Sequence, residues 1–182
     1  MPETNINNNL KILKMLINIF SKRDNIIFIL KYFLLCFIVY LILRLLLTDI
    51  FITTVSYHSA ILLDLMYLNN TTWYNQYIIL PNIALEVIAP CVGIEFMSIY
   101  MALVILLSKS YKQLIMGLLL TIFIYFGNII RIVLLGVFGN YFIDYFDIFH
   151  EIMGCIILPP ITIALSLYFL KFINLDCDKN EC

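Results

Sequence analysis

Long apolar stretches separated by short polar segments dominate the chain from residue 26 onward. The stretches that read as membrane spans cover about residues 26–47, 92–107, 114–138 and 151–171. A helix needs about 20 mostly apolar residues to cross a bilayer. The pattern therefore predicts an all-α polytopic membrane protein with about four transmembrane helices.

Three other segments predict smaller elements. Residues 1–25 are rich in Asn and Lys, with apolar residues on one helical face, and indicate a tail with an interfacial amphipathic helix. Residues 50–68 mix polar with apolar positions, so we expect a helix on the outer membrane surface. Two short β-prone runs, Tyr77–Leu80 and Ile83–Ile88, flank a Pro-Asn turn and predict a small external β-hairpin.

The positions of the cations predict an orientation. Lys109 and Lys112 follow the second span, and the positive-inside rule places that end in the cytoplasm. The third span then rises outward, and the loop 139–149 is external. Both termini are expected in the cytoplasm of a plasma-membrane protein, with an N-terminal tail (1–25), a membrane domain (26–173) and a C-terminal tail (174–182).

Composition excludes a separate soluble domain. The chain is 63% hydrophobic and 13% charged over 182 residues, far from the averages of soluble domains. The net charge is −1, and no basic stripe suggests nucleic acid as a partner. We expect no cleaved signal peptide, because no small-residue cleavage pattern follows the first long apolar stretch.

Under this topology, three residues whose side chains could take part in a reaction lie near the outer face: Cys91, Arg131 and His150. Pro90 suits the start of a helix, which would place the thiol in or next to a first turn. Helix N-termini favour a thiolate and so raise nucleophilicity. The alternative for Cys91 is a small buried packing residue.

Arg131 lies inside the third span, where an unpaired cation is costly. It could stabilise the Cys91 thiolate or the oxyanion formed when a peptide carbonyl is attacked. Asn128 lies three residues earlier on the same helical face and could add a hydrogen bond. The structural alternatives for Arg131 are a salt bridge with Glu95 or Glu151, or contact with lipid headgroups.

His150 could accept a proton from the thiol and donate one to a leaving amine. Alternatively, a histidine at a membrane interface packs or contacts headgroups, and His58 has no context beyond such a structural role. Glu95 follows Cys91 by four residues and could orient His150 or pair with Arg131. Gly93 and Gly154 would permit close backbone approach.

The remaining cysteines give no sign of a disulfide framework or a zinc site. Two of them, Cys36 and Cys155, lie inside apolar runs and suggest packing residues. The other two, Cys177 and Cys182, are too widely spaced for a CxxC pair. We expect no metal and no organic cofactor.

The three motifs resemble those of the exosortase/archaeosortase family of membrane cysteine transpeptidases. They are Cys91-Val92-Gly93, Asn128-x-x-Arg131-Ile132 and His150-x-x-x-Gly154, on successive predicted helices, and the resemblance covers roughly residues 70–170. It implies secreted or surface proteins as partners, recognised by a C-terminal tail made of a short motif, a span and a basic cluster. It also implies cleavage near the outer surface and transfer to an acceptor.

The residues and the resemblance together predict a membrane cysteine transpeptidase that works through a thioester on Cys91. The acceptor would be an amine or a lipid-linked group, and the surrounding membrane lipids are further partners. Two alternatives stay open. One is a cysteine protease with water as the acceptor, and the other is a non-catalytic membrane assembly subunit.

Overall fold

The computed structural model describes residues 23–66 and 71–180 of the chain, with side chains from Asn25 to Met66 and from Thr71 to Ile173. The amphipathic helix expected within residues 1–25 lies almost wholly outside the described residues. The fold-class prediction is confirmed, because the structure is a bundle of apolar helices with one small antiparallel sheet.

Within the described residues, five α-helices and three strands follow one another. They are α1 (Arg23–Leu65), β1 (Thr72–Tyr74), β2 (Tyr77–Ile79), β3 (Ala84–Glu86), α2 (Ile94–Leu107), α3 (Tyr111–Tyr141), α4 (Phe146–Ile156) and α5 (Leu158–Asn180). Short 3-10 turns at Ala89–Val92 and Ile143–Tyr145 precede α2 and α4, respectively.

By length and composition, three helical segments of the described chain could cross a membrane: Asn25–Leu65, Tyr111–Tyr141 and Ile143–Ile173. The predicted span 92–107 corresponds to α2, an apolar helix of 14 residues. Its length is about 21 Å at the standard helical rise, less than the roughly 30 Å of a bilayer core. Whether α2 crosses therefore decides between three and four crossings.

Helix α1 differs from its prediction, which ended a span at residue 47 and laid a second helix on the surface over 50–68. The structure has one uninterrupted helix of 43 residues. Several hydroxyl groups that suggested a break are hydrogen-bonded within the helix. Those of Thr48, Thr53 and Thr54 donate to the carbonyl oxygens four residues earlier.

The predicted hairpin exists and has a third strand that was not predicted. The sheet order is β1-β2-β3, and both pairs are antiparallel. Ser56 of α1 supports this sheet: its hydroxyl donates to the carbonyl oxygen of Asn75 (2.7 Å) and accepts from Trp73 Nε1 (3.0 Å). At the other end, Asn82 in the β2–β3 turn makes two hydrogen bonds with Asn140 near the end of α3.

The prediction that residues 139–149 form a loop is wrong, while their position outside the membrane stays a prediction. Helix α3 continues to Tyr141, and after the 3-10 turn α4 already begins at Phe146. The last predicted span, 151–171, is divided into α4 and α5 at Ile157. Pro159 and Pro160 cause the break, because neither has an N–H to donate to the carbonyl groups of the preceding turn. Helix α5 also runs to Asn180, through most of the predicted tail 174–182.

The core lies between the C-terminal half of α1, the sheet, α2, α3 and α5. Fully buried side chains at its centre are Val55, Leu63, Tyr100, Ile124 and Phe169. Helix α3 is the central element and contacts all four other helices. Large apolar side chains on the outside of the bundle stay exposed, as expected for lipid-facing surfaces, for example Phe33, Leu45, Leu119 and Leu167.

Candidate active site

The backbone around Cys91 is set by Pro90 and Gly93. Pro90 lies at the start of the 3-10 turn Ala89–Val92, and the Cys91 N–H donates to the carbonyl oxygen of Ile88 (2.7 Å). Gly93 then adopts a left-handed conformation (φ 73°), which a glycine reaches without strain, and α2 begins at Ile94. Cys91 is thus next to the first turn of α2, but in a separate turn.

Two side chains of α3 hold the carbonyl group of Cys91. Asn128 Nδ2 donates to its oxygen at 2.8 Å, and Arg131 Nη2 donates to the same oxygen at 3.4 Å. Asn128 also lies against Gly93, because a Cβ atom there would be 3.4 Å from the Asn128 side-chain carbon. Asn128 therefore fixes the turn that carries the thiol.

Arg131 is 6% exposed. Among the described residues its guanidinium makes no ion pair, with neither Glu95 nor Glu151, and its Nε has no hydrogen-bond partner. The half-buried Glu95 and Cys91 interact with it electrostatically at longer range. A buried cation is costly unless a counter-charge or hydrogen bonds stabilise it. A negative charge that formed beside Arg131 would therefore be stabilised by its guanidinium.

Cys91, Arg131 and His150 line one cavity of about 260 Å³. The structure therefore brings all three candidate residues together, although they are 40 and 19 positions apart in sequence. Residues 84–88 form one wall, Ile132 and Leu135 of α3 form another, and Phe146 lies beside His150 on α4.

His150 reaches the cavity from an exposed helix. No residue of α4 is fully buried, and two aromatic contacts attach α4 to α3. The ring of Phe149 stacks on Phe138 with centroids 4.8 Å apart. Phe146 fits against Gly139, where a Cβ atom would be only 2.7 Å from the ring. His150 thus depends on this packing for its position.

The other sequence candidates have different surroundings. The close backbone approach expected at Gly154 is absent, since a Cβ atom there would meet nothing within 4 Å among the described residues. His58 shares a hydrogen bond of 2.7 Å with Tyr125 of α3, in keeping with a structural role. No group of three or more possible metal ligands occurs within the described part of the chain; a metal-free and cofactor-free reaction stays a prediction.

Sequence reasoning missed Glu86, which also lines the cavity. Its carboxylate accepts hydrogen bonds from Gln76 Nε2 (2.6 Å) and Tyr77 Oη (3.0 Å). The alternation of Leu85, Glu86 and Val87 in a β-prone run was a usable signal, because it places Glu86 on the opposite face from two buried residues.

Comparison with known proteins decides the family. The family model for transmembrane exosortases matches residues 14–168, which is most of the chain. The chain belongs to the transmembrane exosortase family. A probable archaeosortase E from Methanocaldococcus jannaschii is 29% identical over 154 residues, which cover 85% of this chain and 83% of that protein. No solved structure matches the chain.

Family membership makes this exosortase relative a membrane protein-processing enzyme. The resemblance predicted from the three motifs is thereby confirmed. The matched region contains the whole cavity, from the sheet to α4.

Proposed function

We propose that this protein is a membrane cysteine transpeptidase that removes the C-terminal sorting tail of secreted or surface proteins. The observation that carries the proposal is the shared cavity: a thiol, a buried guanidinium and an exposed imidazole line the same 260 Å³ space, and the guanidinium makes no ion pair with any residue that the structure describes. These three groups are the nucleophile, oxyanion stabiliser and proton carrier of an acyl transfer.

In this mechanism the thiol proton of Cys91 passes to His150 as the sulfur attacks a peptide carbonyl of the client. Arg131 stabilises the oxyanion of the tetrahedral intermediate. When the C–N bond breaks, His150 returns the proton to the departing amine, and the client remains as a thioester on Cys91.

The second half of the reaction releases the client. His150 takes a proton from an acceptor nucleophile, an amine or a lipid-linked group, as it attacks the thioester. The C–S bond then breaks, and the thiol of Cys91 is regenerated with that proton. Arg131 again faces the oxyanion, so one guanidinium acts in both halves.

The client's own transmembrane tail would lie against the bundle, where exposed apolar side chains of α1, α3 and α5 offer a lipid-like surface. We place the cavity at the outer face of the plasma membrane and both termini in the cytoplasm. The positions of Lys109 and Lys112, after α2 and at the start of α3, support this orientation.

Two other functions remain as alternatives. A cysteine protease would use the same thioester with water as the acceptor. The exposed position of His150 makes water access easy, which is the observation in favour of hydrolysis. A non-catalytic assembly subunit is less well supported, because the buried Arg131 makes no ion pair among the described residues and its Nε has no hydrogen-bond partner there.

The test compares wild type with Cys91→Ala in membranes that contain a secreted protein of the same organism with a C-terminal motif, span and basic end. We expect a tail-less product only with wild type. Cys36→Ala, in α1 and outside the cavity, is the control and should process the client normally. The mass of the new C-terminus separates transfer from hydrolysis. Equal processing by Cys91→Ala would remove Cys91 as the nucleophile.

A further inference from the structure

Strand β3 has one paired edge and one open edge. The sheet order β1-β2-β3 leaves β3 at the margin, with β2 as its neighbour on one side and no strand of the described chain on the other. An unpaired strand edge exposes a row of N–H and C=O groups, and these groups accept another extended chain readily.

The register shows which backbone groups point to the open edge. Leu80 N–H donates to Ile83 O, and Val87 N–H donates to Gln76 O, so residues 83, 85 and 87 face β2. Because backbone groups alternate in an antiparallel pair, the N–H and C=O groups of Ala84 and Glu86 point away from β2. They have no protein partner among the described residues.

The open edge runs along the catalytic cavity. Ala84, Leu85, Glu86, Val87 and Ile88 all line that cavity. Successive side chains of a strand point to opposite faces, so a single cavity that touches five residues in a row must follow the edge. The segment then leads directly to Cys91, only three residues after Ile88.

The side chain of Glu86 does not cover this edge. Hydrogen bonds from Gln76 and Tyr77 draw its carboxylate back over β2. The opposite wall of the cavity consists mainly of apolar side chains of α3 and α4: Ile132, Leu135 and Phe146. The cavity therefore combines a row of unpaired backbone groups with an apolar wall, as a slot for an extended peptide would require.

We infer that the client binds as a fourth strand on β3, with the residues next to its scissile bond paired to Ala84 and Glu86. This inference rests on the proposed function. Backbone hydrogen bonds hold the client in register independently of its side chains. The apolar wall favours apolar client side chains at the positions that face it. Addition to the edge delivers one carbonyl group of an extended chain to Cys91.

The test uses synthetic peptides that contain the cleavage site and tail of a processed client, each with one backbone nitrogen methylated. Methylation removes one N–H donor. If the client pairs with β3, the effect of methylation alternates along the peptide. Methylation at every second residue beside the scissile bond should raise the KM of wild type about tenfold, the size of one lost hydrogen bond. The intervening positions form the internal control.

On the enzyme side, Ala84→Pro removes an outward N–H without touching the bonds to β2. Its KM should be about tenfold above that of Ala84→Ser, which keeps the amide. If Ala84→Pro does not fold, the methylated peptides assayed with wild type decide whether the client pairs with β3. Cys91-dependent processing without the alternation along the peptide would overturn strand addition and leave the proposed function intact. Loss of Cys91 dependence would overturn both.

Discussion

The carbonyl oxygen of Cys91, rather than its thiol, makes the contacts that fix this residue. Asn128 and Arg131 lie three positions apart on one face of α3, and both donate to that oxygen. A short polar face of one helix thus positions the turn that carries the candidate nucleophile. The same face supplies the cation that would meet the oxyanion.

We expect Asn128→Leu to slow client processing and to lower the free energy of unfolding by about 1–3 kcal/mol, because the half-buried Cys91 carbonyl loses its shorter hydrogen bond. The fall should be in kcat more than in KM. Ser108→Ala, which removes a part-buried hydrogen bond to the Val104 carbonyl oxygen at the opposite end of α2 from Cys91, is the control. It should cost stability but leave kcat unchanged, and equal kcat values for the two variants would argue against positioning by Asn128.

Arg131→Lys keeps the charge but loses the planar fork of donors. We expect kcat for client processing to fall about 10²- to 10³-fold, the usual cost of removing one oxyanion donor. Arg44→Lys, on the exposed side of α1, should process the client normally. A lysine at position 131 that supported full activity would show that charge alone is needed.

Sequence reasoning selected Cys91, Arg131, His150 and Asn128 as candidates because polar residues in apolar segments are conspicuous, and their catalytic roles stay predictions. It did not find Glu86, although the alternation of Leu85, Glu86 and Val87 offered a local signal. It also favoured Gly154 as a close-packing position, where the structure has open space. Contacts between distant segments determine the surroundings of Gly154, and the local pattern does not contain them.

At the scale of elements, α4 is the least anchored part of the site. Its attachment to α3 depends on the fit between Phe146 and Gly139 and on the stacking of Phe149 on Phe138. His150 lies on this helix, so the position of the proposed proton carrier depends on contacts made by its neighbours.

We expect Gly139→Ala to reduce client processing at least tenfold, because the new methyl group would displace the Phe146 ring and with it α4. Overpacking of this kind costs about 1–3 kcal/mol. Gly154→Ala is the matched control on α4 itself and has room for a methyl group. Processing assays on equal amounts of folded protein would compare the two. A larger loss in Gly154→Ala would contradict the packing account.

The elements that the sequence predicted best are those with a strong local cause. The Pro-Asn turn predicted the β2–β3 hairpin, and the apolar run after Gly93 predicted α2. The break between α4 and α5 also has a local cause, Pro159 and Pro160, but the continuous hydrophobicity around them concealed it. The length of α1 could not be predicted, because it depends on packing against α2 and α3 and on the hydrogen bonds of Ser56 with the sheet, which are contacts between distant segments.

At the scale of the whole molecule, α2 decides the topology. If this short helix and its preceding turn cross the membrane, the described residues make four crossings and their two ends lie on one side. If α2 does not cross, the three crossings of the described residues place these two ends on opposite sides. The proposed site at the outer face requires the first arrangement.

We expect tags fused to the N-terminus and the C-terminus both to be protected from protease in intact cells, while a cysteine introduced at Asn82 reacts with an impermeant thiol reagent. Asn82 lies in the exposed β2–β3 turn, near the cavity wall. A cysteine in place of Ser110, at the α2–α3 turn, should react only after permeabilisation. Accessibility of one tag from outside would rule out the four-crossing arrangement.

The most direct measurement of the central claim is the mass of the peptide that contains Cys91 after brief incubation of the full-length enzyme with a tailed client. The account predicts an added mass equal to the residues on the client side of the cleavage site, attached at Cys91 and released by hydroxylamine as a thioester. A client cleaved in a single turnover with Cys91 unmodified, or an adduct on another cysteine, would contradict it.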